Sequence, residues 1–169
     1  MEIQEFVAFA IPFIIVFYLA VLLFMHPPRP VIVASLLGGL AMGLINLVVD
    51  LGAYYAHIWH YTLNGLILHV PLPFYITPVL VYGSIAYLLI WRFWTGRLHW
   101  LALLLLFGIP IFGILRDVLG SVAHSSYTSW DSVLAGPVDA VIWLVMFYTG
   151  YLLFKRLAPG HEVIPSANS

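Results

Sequence analysis

Three aspartates and one arginine stand inside or beside long apolar stretches, where charged side chains are costly and usually functional: Asp50, Arg116, Asp117 and Asp139. Carboxyls in hydrocarbon suit proton transfer, and an arginine among them suits electrostatic stabilisation. Asp50 ends a stretch in which Gly39, Gly43, Asn46 and Asp50 follow at steps of four, three and four, one helical face. The glycines of that face admit a second helix at close range. Gly113, Arg116, Gly120 and His124 make a similar face downstream. Adjacent residues on a helix point about 100° apart, so Asp117 is expected off that face and Asp50 or Asp139 is expected to partner Arg116. The competing reading makes Asp50 a helix end, Arg116 an anchor on lipid phosphate, and Asp139, after Gly136-Pro137, a carboxylate beside a helix dipole. Trp143, one turn beyond Asp139, is expected to stack above it.

Aromatic residues accompany these groups. Trp59 and Tyr61 follow Asp50, Trp130 precedes Asp139, and Trp143 follows it. With Asn46 they form the candidate substrate-binding wall, because aromatic faces attract positive charge. Asp50, His57 and His60 have the spacing of a weak metal set, but histidine beside Trp and Tyr is also common at membrane interfaces. We assign no metal and no cofactor. Ser121, Ser125, Ser126, Ser129 and Ser132 have only His124 for company, short of a hydrolytic triad. No phosphate-binding glycine loop and no Gly-x-Ser-x-Gly elbow occurs.

The elements that position these residues are membrane helices. The 169 residues are 63% hydrophobic and 8% charged, with a mean hydropathy of +1.05; soluble domains carry about 25% charged residues. A spanning helix needs roughly 20 apolar residues, and five segments qualify: 6–25, 31–51, 74–94, 98–118 and 133–154. We expect an all-α polytopic bundle forming a single membrane domain over 1–169, with a polar, disordered tail at 159–169. Long unbroken apolar runs exclude a β-barrel. The first span has an acidic leader and no small-residue cleavage site, so it is not read as a signal peptide. Asp50 would sit roughly 28 Å along its helix from Val31, near one membrane boundary.

Of the six Lys and Arg residues, Arg29, Arg92, Arg97, Lys155 and Arg156 fall on one side of a five-span topology. The positive-inside rule makes that side cytoplasmic and puts the N-terminus outside the cell membrane. Only Arg116 departs from the pattern. The segment 51–73, rich in Tyr, Trp and His, is expected to lie in the interface or re-enter the bundle. A net charge of −1 without a basic run excludes nucleic acid as a partner. The absence of cysteine removes disulfides and a thiol nucleophile. Membrane lipids are the expected partners, with a second copy or a larger membrane complex as the other.

The two helix pairs also align with each other. Gly43-Leu44-Ile45-Asn46 overlays Gly113-Ile114-Leu115-Arg116; after a one-residue gap Trp59 meets Trp130 and Gly65 meets Gly136; later Tyr87-Leu88-Leu89 meets Tyr151-Leu152-Leu153. This reads as a parallel two-helix repeat about an axis along the membrane normal, an arrangement that often holds a site between its halves.

The residues Asp50, Trp59-His60-Tyr61, Gly65 and Leu72-Pro73 resemble the membrane carotenoid-pathway (lycopene) cyclases. Those proteins have repeated three-helix units, an aspartate ending one helix, then Trp-x-Tyr, Gly and a proline at the start of the next. The resemblance implies an enzyme modifying an isoprenoid or other lipid by protonating an alkene. In place of the cyclases' acidic residues after that proline stands Phe74-Tyr75-Ile76-Thr77, so the acid would come from Asp50, Asp117 or Asp139. The alternative expectation is a non-enzymatic subunit or small transporter component whose polar stripe fixes helix packing or a partner. The inner halves of the spans are almost purely apolar, which counts against a one-copy channel.

Overall fold

The computed structural model describes residues 3–123 and 127–159. Met1 and Glu2 of the acidic leader, His124, Ser125, Ser126 and the tail from residue 160 lie outside the described residues. Five helices are long and apolar enough to cross a membrane: α1 Ile3–Met25, α2 Arg29–Tyr55, α3 Leu72–Phe93, α4 His99–Val122 and α5 Ala135–Leu157. The chain is therefore an all-α multi-pass membrane bundle, with the five expected spans. α2 runs one turn beyond the expected boundary, to Tyr55. Two three-residue strands that the sequence did not announce, β1 Trp59–Tyr61 and β2 Thr128–Trp130, pair antiparallel across the long connections.

Local chemistry sets the boundaries. α1 stops at His26, whose N–H closes the last helical bond to the Leu22 carbonyl and whose left-handed φ of 47° then turns the chain away, and Pro27-Pro28 cannot continue a helix. α2 then starts with Pro30 in its first turn, where a missing N–H costs nothing. Pro78 in α3 stands in the first turn of a stretch of wide π-type turns, Thr77–Ile85, before regular helix resumes at Ala86. Pro110 in α4 leaves the Leu106 carbonyl without its helical donor; the Tyr148 hydroxyl of α5 supplies one at 3.2 Å.

α2 is the central helix, and it packs most extensively on α5 and on α3. Glycine governs both contacts. An added Cβ on Gly39 would meet the Val79 carbonyl, and one on Gly83 would lie 2.5 Å from the Gly39 Cα, so α2 and the first half of α3 approach backbone to backbone. On the other side a Cβ on Gly38 would lie 2.6 Å from the Gly150 carbonyl oxygen. The expected close-approach face of α2 is thus real, with α3 as its partner, and a second glycine contact on α5 accompanies it. Tyr87, wholly buried, fills the space beside Gly38 and Gly150 and donates to the Phe147 carbonyl at 2.9 Å. Buried Ser35 and Ser84 satisfy each other at 2.8 Å across the α2–α3 interface.

The aligned positions of the two halves meet in space. Trp59 and Trp130 are direct partners across β1–β2, and the rings of Tyr87 and Tyr151 lie 5.9 Å apart. Both contacts join positions that the alignment of the two halves equates. Gly65 and Gly136 differ: Gly65 has a positive φ of 80° in a turn, whereas Gly136 lies under the Trp130 ring.

Candidate functional site

The helices touch closely at the end carrying the short turns and separate toward the end carrying β1 and β2. α4 packs on the second half of α3, Ala86–Phe93, but barely on its first half. A cavity of about 900 Å³ opens in that wedge, walled by α2, α3, α4 and α5 and capped by the paired strands. That volume suits a small-molecule ligand. Every candidate catalytic residue, Asp50, Arg116, Asp117 and Asp139, lines it, as do all five candidate substrate-binding residues.

Asp50 is only 4% exposed, and its carboxyl faces the bundle. Trp59 Nε1 donates to Oδ1 at 3.1 Å; Asn46 Nδ2, the Tyr61 hydroxyl and the Tyr75 hydroxyl donate to Oδ2 at 3.0, 2.8 and 2.6 Å. A carboxylate offers about two lone-pair sites on each oxygen, so Oδ2 is fully engaged by three donors while Oδ1 accepts one. The bonds gather residues from α2, β1 and α3, which makes Asp50 the point at which the strand cap is tied to the helices. Burial, and then the neighbouring Asp50, push the Tyr61 hydroxyl well above the ordinary phenol range, which keeps it a donor.

Arg116 departs from the expected pairing. Its partner is Asp117, with Nη2 at 2.7 Å and Nε at 2.8 Å from one carboxylate oxygen, not Asp50 or Asp139. The 100° step between neighbours is overcome by side-chain length: a guanidinium can fold back over the turn, which a helical wheel does not show. The other Asp117 oxygen accepts Trp143 Nε1 at 2.7 Å. Trp143 therefore turns toward α4 and covers Gly113, rather than serving as a lid on Asp139. The guanidinium also lies 5.6 Å from the Tyr82 ring centroid and 5.5 Å from that of Trp143, and donates to the Tyr82 hydroxyl at 3.0 Å.

Asp139 is the contrast. Its Oδ2 is buried and has no hydrogen-bond partner among the described residues. A polar atom left without a partner in an apolar wall is costly, and here it borders the cavity. The metal set does not form: His57 sits in a turn with φ 53°, His60 bonds Asp131 at 2.8 Å, and no group of three metal-binding side chains converges among the described residues.

Tyr75 and Tyr82 escaped the sequence reading. They are seven residues apart in the sequence, the spacing of one face of a regular helix, and that spacing was the available signal. It was masked because Phe74-Tyr75-Ile76-Thr77 was weighed only for its lack of acids. Compared with known proteins, the chain matches no family model, no curated protein and no solved structure.

Proposed function

We propose that this protein is a membrane enzyme performing acid–base chemistry on an apolar, isoprenoid-like lipid held in the cavity, with the strand-capped end facing outside and the C-terminus in the cytoplasm. The observation that carries the reading is the gathering of three carboxyls, one arginine and an aromatic wall in one chamber, with one buried carboxyl oxygen, Asp139 Oδ2, without a hydrogen-bond partner among the described residues. Asp50 is held by four donors and Asp117 is shared between Arg116 and Trp143. Asp139 is then the group that exchanges a proton, Asp50 positions Tyr61 and Tyr75, and Arg116–Asp117 sets the local field.

The chemistry balances without a co-reactant. The Asp139 proton adds to one alkene carbon, whose π electrons form the new C–H bond and leave a cation on its neighbour. Trp59 and Trp130 line the cavity, and aromatic π systems stabilise such a charge. Loss of a proton from an adjacent carbon restores the carboxylic acid and yields an isomerised or cyclised lipid. The orientation rests on Arg29, Arg92, Arg97, Lys155 and Arg156 sharing the short-turn end.

The test is mass spectrometry of lipids from cells supplied with isoprenoid precursors and expressing wild type, Asp139→Asn or Asp50→Asn. A product made by wild type and lost in well-folded Asp139→Asn supports the assignment. Product from Asp139→Asn removes Asp139 as the acid. An unchanged lipid profile with wild type replaces the enzyme with the subunit reading, which the four internal donors on Asp50 favour.

A further inference from the structure

We propose that the ligand reaches this cavity sideways from the bilayer, through the seam between α3 and α4, and that the Tyr82–Arg116 bond latches that seam. The inference rests on the cavity reading above and adds its route and its gatekeepers. α2 and the first half of α3 are drawn together by Gly39, Gly43 and Gly83, whose added Cβ atoms would collide with the facing helix. That attachment holds Thr77–Ile85 against α2 while α4 rejoins α3 only from Ala86 onward. The split between α3 and α4 is therefore built in by packing.

The residues along the split belong to the surface and to the cavity together. Phe112, Leu115 and Leu119 of α4 line the chamber, yet are 56%, 53% and 64% exposed. In a membrane helix such apolar exposure faces acyl chains. The back of the chamber is shut, because α2 and α5 make the most extensive helix contact in the bundle. Its top is covered by β1 and β2, whose Trp59 is 5% exposed.

Arg116 stands in this opening, about 9 Å along α4 from Val122, with its side chain 45% exposed. It alone among the charged cavity residues crosses the seam, reaching the Tyr82 hydroxyl at 3.0 Å. That one bond joins two helix halves that otherwise scarcely touch. Breaking it exposes an apolar slot, while the Asp117 bonds keep Arg116 paired. The entrant is a molecule already dissolved in lipid.

The chain has no cysteine, so one introduced thiol reports access cleanly. Ile142→Cys places it in the cavity wall, in protein reconstituted into phosphatidylcholine vesicles. The probes are N-(1-pyrenyl)maleimide, which dissolves in the bilayer, and trimethylammonioethyl methanethiosulfonate, which stays in water. We expect the bilayer reagent to label the thiol, and the aqueous one at least about tenfold more slowly than it labels an interfacial control thiol. Adding Leu119→Trp, which fills the seam, should slow bilayer labelling about tenfold, whereas Leu152→Trp on the lipid face of α5 should not. Adding Tyr82→Phe should speed it about fivefold, the rate equivalent of one hydrogen bond. Equal helical content and monodisperse elution of the variants check folding. Labelling that ignores Leu119→Trp and Tyr82→Phe overturns the entrance but leaves the cavity. Labelling by neither reagent overturns the cavity and the entrance with it.

Discussion

The two ends of this bundle are made from the same five helices and differ in what lies between them. At the short-turn end, glycine and tyrosine bring backbones into contact: Gly38 faces the Gly150 carbonyl, and Tyr87 is stacked at 18° to Phe154 with centroids 5.8 Å apart. At the strand-capped end, the same helices leave about 900 Å³ unfilled and surround it with carboxyls. Interiors are normally close-packed, so a void of that size is maintained by its walls. The tight end acts as the clamp. It fixes the helix directions from which the open end diverges, and the Asp50 cluster and β1–β2 pair brace the divergence at the top. Stability and site are thus carried by different halves.

That division is tested most severely at the clamp. Gly39→Val forces a branched side chain into the Val79 backbone and should destabilise the fold by about 3 kcal/mol or more, read by denaturant titration in detergent with far-UV circular dichroism. A loss below 1 kcal/mol would mean α2 and α3 separate easily, and the clamp account fails.

A second test divides the open end itself. Asp50→Asn replaces an acceptor by a donor that confronts the donors around it, so it should cost about 2 kcal/mol and loosen the strand cap in hydrogen exchange. Asp139→Asn loses no hydrogen bond at Oδ2 and should change stability by less than about 1 kcal/mol. If the two variants are equally destabilised, the separation of brace from reactive group is wrong.

Tyr148→Phe removes the donor on the Leu106 carbonyl next to Pro110 and should cost about 1 kcal/mol in the same titration, the worth of one hydrogen bond. The smallest effect is expected outside the bundle. His60 and Asp131 bond at 2.8 Å with side chains 42% and 33% exposed; His60→Ala should cost no more than about 0.5 kcal/mol and less in high salt. A larger cost would move part of the bracing from Asp50 to the strand surface.

Much of this molecule was legible as sequence. Apolar run lengths fixed the five spans because bilayer thickness fixes how many residues a crossing helix needs. The glycine steps of α2 announced a close partner, and polar residues within apolar runs announced the cavity wall, since hydrocarbon tolerates such residues only when they face the interior. The pairing of Arg116 was misjudged for a definable reason. A helical wheel projects Cα directions, while a long guanidinium reaches around the turn to Asp117 and onward to Tyr82. β1 and β2 were missed because each is three residues long and gains its pairing from a segment about 70 positions away, which leaves no periodicity to read.

By itself, then, the sequence determined that this chain is a five-span helical membrane protein and which polar residues are too costly to face lipid. Both follow from transfer free energies that depend on residue type and local spacing. Only the tertiary structure decided who partners whom: that Asp50 is held by Trp59, Tyr61, Tyr75 and Asn46, that Asp139 has a buried oxygen without a partner among the described residues, and that α3 leans on α2 and parts from α4. Those outcomes depend on side-chain reach and on contacts between residues distant in the chain, which a local pattern does not encode.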